Sequence, residues 1–242
     1  SYNSGNNTVS FTNVSVPDGF YFTLGNNDIG IVSVNSGSWH TPSVWNCNCV
    51  PTTSDNVTIL SGHTISVSGG VANVDTLTIQ SNAVLSCPSE ADTRSVNIHG
   101  DLNILGNVTG KPNLRFNGTT NVQKLNNTSG NLISITRMTV NNPNNVQITN
   151  GAFQLVSILK NTAGQLQNIG GSFTFVSYAT STARIDRVTG GGFSGEFIVQ
   201  RYVSSRPDNW SNLASPVQFT TIGDWDASPD KLTNEIYMSG VG

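Results

Sequence analysis

Apolar strands recur about every nineteen residues through the middle of this chain. One row begins "NVTILSGHTISV" at Asn56 and the next "DTLTIQSNAVLS" at Asp75. Then come "SVNIHGDLNILG" at Ser95, "NLRFNGTTNVQKL" at Asn113 and "NLISITRMTV" at Asn131. The row starts lie 19, 20, 18 and 18 residues apart, and each strand is preceded by a polar residue: Asn56, Asp75, Ser95, Asn113 or Asn131. A second column follows each strand: Gly62, Asn82, Gly100 and Gly118. Glycine and asparagine tolerate the left-handed backbone region, so this column reads as one corner repeated in every row. Looser rows follow at Val146–Ile148, Leu155–Ile158 and Phe173–Phe175.

Several short strands per repeat, a corner per turn and a period near twenty predict a parallel β-solenoid. Leu77 and Ile79 are expected to sit on Val57 and Ile59, with Val96 and Ile98 on them in turn. Backbone hydrogen bonds would run between coils about 4.8 Å apart, and the polar column would form a side-chain ladder. A β-sandwich also has short strands at regular spacing. It does not require corner residues to recur in register, so the solenoid is the better reading.

Composition agrees. Charged residues make up only 10% of the 242, and the net charge is −3. Disorder usually brings a high net charge. Polarity comes instead from Asn, Ser, Thr and Gly, the residues of tight turns, beside many Val, Ile and Thr. Nucleic-acid binding needs a basic stripe with many phosphate contacts, and the weak net charge argues against it. No apolar run is long enough to cross a bilayer, so membrane insertion is not expected. Ser1, with no initiator Met and no hydrophobic leader, reads as a processed terminus or a fragment boundary. The sequons at Asn13, Asn56, Asn107 and Asn117 read as glycosylation sites or, better, as what a chain rich in Asn and Thr produces by chance.

The first coil of a solenoid exposes strand edges and an open apolar end, so it needs a cap. "SGSWHTPSVWNCNCVPTTSD" lies immediately before Asn56. Trp39 and Trp45 can cover the apolar end, and Pro51 with the turn after it redirects the chain. The chain is thus expected to be all-β, with residues 38–190 forming a capped, right-handed parallel β-helix. Residues 1–37 would be a flanking β-strand segment, and 191–242 the start of a β-rich, sandwich-like C-terminal module.

The stretch "GSW…TPSVWNCNCVPTTSDNVTILSGHTISV" resembles the entry motif of Bacteroidota surface and secreted proteins exported by the type IX system. In that group a G8-like cap leads into a right-handed β-helix. "ARIDRVTGGGFSGEFIVQRYVSSRPDNWSNLASPV" resembles the exit from the helix in the same proteins, and the two motifs span about 180 residues. The resemblance implies an extracellular or cell-surface location, with the chain as cargo of the export machinery. The group's usual C-terminal sorting domain is missing, which implies part of a longer polypeptide or a trimmed form. The group includes adhesins, large repeat proteins and polysaccharide-active proteins, so surface polysaccharide and other surface proteins are the implied partners.

Cys47 and Cys49 share one face of an extended segment, where a bond between them is geometrically poor. Cys87 follows the second corner, within reach of the cap. A disulfide from Cys87 to Cys47 or Cys49 is therefore expected, in keeping with an oxidising compartment. The sharper alternative is zinc held by all three with His63 or His40, although CxC with distant partners matches zinc spacings weakly. No CxxC is present for redox chemistry.

Chemistry is scarce elsewhere. Glycosidases need two nearby carboxylates, and β-helical lyases need an acidic calcium cluster with a basic residue. From Leu102 to Ile185 there is no Asp or Glu, while Lys111, Arg115, Lys124, Arg137, Lys160 and Arg184 all lie there. The early coils hold only Asp75, Glu90, Asp92 and Asp101. Glu90 and Asp92 flank the turn "CPSEADTR", which reads as a solvated loop or a calcium site. His63 and His99 read as hydrogen-bonding corner residues. There is no Gly-x-Ser-x-Gly elbow and no phosphate loop, and "TGGGFSG" (Thr189 to Gly195) reads as a hinge between modules. "DTL" fits a short O-glycosylation pattern of Bacteroidota at Thr76. "GDWDASPDK" gathers Asp224, Asp226 and Asp230 beside Trp225, either a polar loop or a calcium or sugar site. No catalytic residue and no cofactor other than that calcium is expected. The residues provide a stiff, low-charge scaffold, so a non-catalytic structural or adhesive module is the first expectation. A polysaccharide lyase or glycosidase is the alternative.

Overall fold

The structure, a computed structural model, describes residues 30–88 and 94–202, with the backbone of two short strands at Tyr2–Asn3 and Thr8–Val9. Those two strands pair with each other, antiparallel. From Ile31 to Val199 the strands stack as a parallel β-solenoid of about seven turns. No helix is long and apolar enough to cross a membrane among the described residues.

The first face of the coil is a ladder of Ile31–Val32, Val57–Ile59, Leu77–Ile79, Leu102–Ile104, Gln123–Asn127, Val146–Asn150, Gln165–Asn168 and Gly192–Ser194. The second face carries Gly37–Ser38, Thr64–Ser66, Val84–Cys87 and Asn107–Gly110. The third carries Ala72–Val74, Val96–Ile98 and Asn113–Phe116, and continues into the long strands Leu132–Asn141 and Ala152–Ala163. Every pairing within these three sheets is parallel. Residues alternate inward and outward along most of these strands, as a period of two requires. Leu77, Ile79, Leu102 and Ile104 are all buried, and Thr78 between the first pair is only partly so.

The corner between second and third faces closes partway along the molecule. Between Asn107–Gly110 and Asn113–Phe116 it is Lys111–Pro112. One coil later it is a register shift between Ile135 and Arg137 inside one continuous strand. Thr136 marks that shift. Its N–H donates to the Pro112 carbonyl at 3.0 Å and its hydroxyl to the Lys111 carbonyl at 2.8 Å. The first half of the long strand then pairs onward with Ala152–Leu155 and Ser172–Phe175, while its second half stays on Asn113–Phe116.

Stacking follows the expected order for one step only. Leu77 and Ile79 sit on Val57 and Ile59. Leu102 and Ile104, not Val96 and Ile98, sit on Leu77 and Ile79; Val96 and Ile98 stack on Ala72 and Val74 of the third face. The nineteen-residue rows had mixed two faces. "Polar, then apolar–polar–apolar" describes a strand on any face, so a row can slip by one face without breaking the pattern. The true coil is longer and uneven, from Val57 to Leu77 in 20 residues, then to Leu102 in 25 and to Leu125 in 23.

The coil stack also overruns the expected limits of 38 and 190. Ile31–Val32 and Gly37–Ser38 already pair with the next coil. The glycine-rich "TGGGFSG" is no hinge, since Gly192–Ser194 is the last strand of the first face. Ile198–Val199 pairs with Thr174 and Phe175. Of the expected C-terminal module, residues 203–242 lie outside the described residues. The cap is an excursion after a partial first coil rather than a segment ahead of it. Trp39 and Trp45 are fully buried and meet edge to face, ring centroids 5.1 Å apart. The Trp45 indole donates to the Trp39 carbonyl at 2.9 Å. Pro51 is buried, and the Asp55 carboxylate closes the following turn by accepting from the Thr52 N–H and hydroxyl.

Candidate functional site

The corner between third and first faces carries the side-chain ladder. Asn56 Oδ1 accepts from the Thr76 N–H at 3.3 Å, Thr76 Oγ1 from the Asp101 N–H at 3.2 Å, and Asp101 Oδ1 from the Lys124 N–H at 2.7 Å. Each coil's side chain accepts the backbone N–H of the coil above. Of the expected ladder residues only Asn56 belongs to it, for the reason that displaced the rows. Thr76 is half-buried with its hydroxyl oxygen against Gly100, so the proposed glycosylation oxygen faces the neighbouring coil. Asp101 is spent on the ladder.

The corner column divides in two. Gly62 (φ +82°) and Asn82 (φ +63°) are left-handed and occupy the same corner, between first and second faces. Gly100 and Gly118 lie at the other corner without positive φ. They are glycine for lack of room. A Cβ on Gly118 would lie 2.6 Å from the His99 carbonyl oxygen and 2.8 Å from the Gln123 amide.

That amide is a hub that the sequence reading missed. Gln123 is 1% exposed. Its Nε2 donates to the carbonyls of Ile98 (2.9 Å) and Gly100 (2.7 Å). Its Oε1 accepts from the Gly118 N–H (2.8 Å) and Asn142 Nδ2 (3.1 Å). Three coils are stapled by one side chain. A glutamine among Asn and Thr carries no sequence signal of burial.

The cysteines pair differently from expectation. Cys47 is bonded to Cys49, and Cys87 is free and buried. The segment is not extended: Asn48 between them takes φ +49°, which turns the chain and brings the two Cα atoms to 5.1 Å. Cys87 faces the core, and burial pushes its thiol up to about 12, leaving it neutral and inert. Zinc held by all three cysteines is excluded by that bond. No group of three His, Cys, Asp or Glu suited to a metal occurs among the described residues. Glu90, Asp92, Asp224, Trp225, Asp226 and Asp230 lie outside them.

His63 and His40 serve structure, whereas no side-chain hydrogen bond is described for His99. His63 Nδ1 lies 2.8 Å from Ser33 Oγ, and that oxygen also accepts from the Leu60 N–H at 2.9 Å. Ser33 is fully buried, so this Ser–His pair meets no substrate. His40 Nε2 bonds the Val71 carbonyl at 3.0 Å.

The acid-free stretch acquires a shape. Arg115, Arg137 and Lys160 come from three successive coils of the third face. With Asn113, Asn117 and Ile158 they line a shallow groove of about 410 Å³. Register places Arg115 beside Thr139 and Thr139 beside Lys160, with Arg137 offset between Asn113 and Ile158. Asp186 lies 3.8 Å from Lys160, both about half exposed, a pairing worth little in water. The sequence supplied these cations, but only the fold gathers them. No family model, curated protein or solved structure matches the chain.

Proposed function

We propose that this chain is a non-catalytic structural and adhesive module, secreted or displayed at the cell surface as part of a larger type IX export cargo. The observation that carries the reading is where the polar groups go. Along the coil stack several of the side chains able to do chemistry are engaged in holding coils together: Asp101 in the corner ladder, Ser33 with His63, and Gln123 and Asn142 in the core. A stack of this kind is a stiff rod with extended faces, which suits a spacer or an adhesive surface. The Cys47–Cys49 bond supports an oxidising compartment, and the entry and exit motifs support the export route.

A panel of neutral and acidic polysaccharides, scored for binding and for reducing-end or unsaturated product, tests the catalytic part. Binding without product is expected. Turnover abolished by Asp75→Asn or Asp101→Asn would overturn the reading. Surface biotinylation of intact source cells tests location, and a label confined to lysed cells would count against it.

A further inference from the structure

We infer that the Cys47–Cys49 disulfide is a thiol–disulfide exchange site, at which an external thiolate attacks Cys47 and is oxidised. The inference goes beyond the adhesive reading, because one bond oxidises one pair of thiols and is then spent. The bond lies at the surface of the cap: Cys47 and Asn48 are exposed and Cys49 is half-buried. The chain on either side is anchored without it. Trp45 and Pro51 are buried. The Asn46 N–H donates to the Val32 carbonyl at 3.0 Å, and Asn46 Oδ1 accepts from the Val32 N–H at 2.9 Å. A cross-link stabilises a fold by closing a loop, and more so the longer the loop. This one spans a sequence separation of 2, so the fold gains little from it.

Its exposure makes it a target. Exchange depends on access to a sulfur, and exposed disulfides are the labile ones. The closed ring also holds Asn48 at φ +49°, a left-handed conformation that asparagine tolerates and does not prefer. Opening the bond frees that residue, which favours the dithiol. The chemistry does not need the CxxC spacing; it needs a bonded pair with one sulfur in reach of a thiolate. Cys47 is the more exposed of the two, so the incoming thiolate forms its S–S bond there, and Cys49 leaves as a thiolate that takes a proton from water. A second substrate thiolate then attacks the sulfur of the first and displaces Cys47. Two substrate thiols end joined as a disulfide, and their two electrons remain on Cys47 and Cys49 as free thiols. Cys87 is buried and takes no part.

The test is incubation of the whole, unreduced chain with millimolar reduced glutathione or with a reduced dithiol peptide, under native conditions. Structural disulfides of secreted proteins resist glutathione. After quenching with N-ethylmaleimide, mass spectrometry should find new labels on Cys47 and Cys49 and none on Cys87. The faster of the two reductants identifies a small-molecule or a polypeptide thiol as the substrate. The rate should lie within about tenfold of that of the free oxidised peptide Trp45–Pro51, in which nothing limits access. Reduction should lower the melting point by less than about 3 °C. In Cys49→Ser and Cys47→Ser, uptake of glutathione from its disulfide should be severalfold faster at the remaining Cys47 than at the remaining Cys49. A bond that yields only after urea unfolds the chain, a rate more than about tenfold below the peptide's, or a larger fall in the melt would each overturn the inference, the last by making the bond a structural staple. Uptake at Cys49 as fast as at Cys47 would overturn the assigned direction of attack.

Discussion

Replacing Gln123 by Met keeps the length of the side chain and removes its four hydrogen bonds. The cost follows from what each partner has left. The Ile98 carbonyl still accepts from the Asn117 N–H at 2.9 Å, and Asn142 Nδ2 still donates to the Asn121 carbonyl at 2.8 Å. The Gly118 N–H and the Gly100 carbonyl lose the partners described for them. A buried group left unsatisfied costs about 1–3 kcal/mol. Gly118 bears the full penalty, while the bond to Gly100 is only partly buried and water can recover some of it. The expected loss is therefore about 3 kcal/mol, or a melting point lower by roughly 6–12 °C for a chain of this size. Urea denaturation followed by circular dichroism gives the total. Hydrogen exchange read by mass spectrometry gives the place, with protection falling first in peptides spanning 98–100 and 118–123. A loss below about 1 kcal/mol with an unchanged denaturant slope would mean that the amide is not a staple.

Leu102→Ala should cost about 2–5 kcal/mol, because Leu102 is 1% exposed between Leu77 and Leu125. Exchange should rise in those neighbouring coils and not at Phe173–Phe175, since each coil touches only its neighbours; a uniform rise along the chain would contradict this. Gly110→Ala should cost more than about 3 kcal/mol, because a Cβ there would collide with the Cys87 carbonyl oxygen. Gly62→Ala, with the same positive φ but open space around it, should cost only the conformational 1–2 kcal/mol or so; equal melts for the two would refute the distinction. Peptide mapping of unreduced protein should yield a linked Cys47–Cys49 fragment and a lone Cys87 peptide, and any fragment joining Cys87 to the cap would restore the earlier expectation. The Cys87 thiol is raised by burial from 9.0 to about 12. Below pH 9 both folded and unfolded chains keep its proton, and between 9 and 12 only the unfolded chain loses it. Stability should therefore fall across that window by on the order of 1 kcal/mol per pH unit, and Cys87→Ala should fall less steeply there.

The fold was legible because a parallel solenoid writes its period into the sequence. Corner residues such as Gly62 and Asn82, and columns such as Ile59 above Ile79, must recur wherever coils stack. The register was less legible. Two faces share one polar–apolar alphabet, and nothing local to "SVNIHG" says that it belongs over Ala72–Val74 rather than over Leu77–Ile79. The cysteine pairing failed on a single dihedral, the left-handed turn at Asn48. The groove failed differently. Its three cations were visible, yet residues 22 and 23 positions apart become neighbours only once coil length is known.

The low charge of the chain has a cause in that same stacking. A residue on an outer face sits about 4.8 Å from its equivalents above and below, so a column of like charges would repel along its whole length. Amides and hydroxyls can instead bond to one another. Asn97 donates to Asn73, Gln147 to Gln167 and Gln154 to Ser134, at 3.1, 2.8 and 2.6 Å. The composition that first suggested turns is thus also what lets identical positions stack. The cations of the third face obey this constraint, since Thr139 separates Arg115 from Lys160, and Asn113 and Ile158 flank Arg137. Staggered in this way, positive charges can gather on one face without any two sitting in direct register.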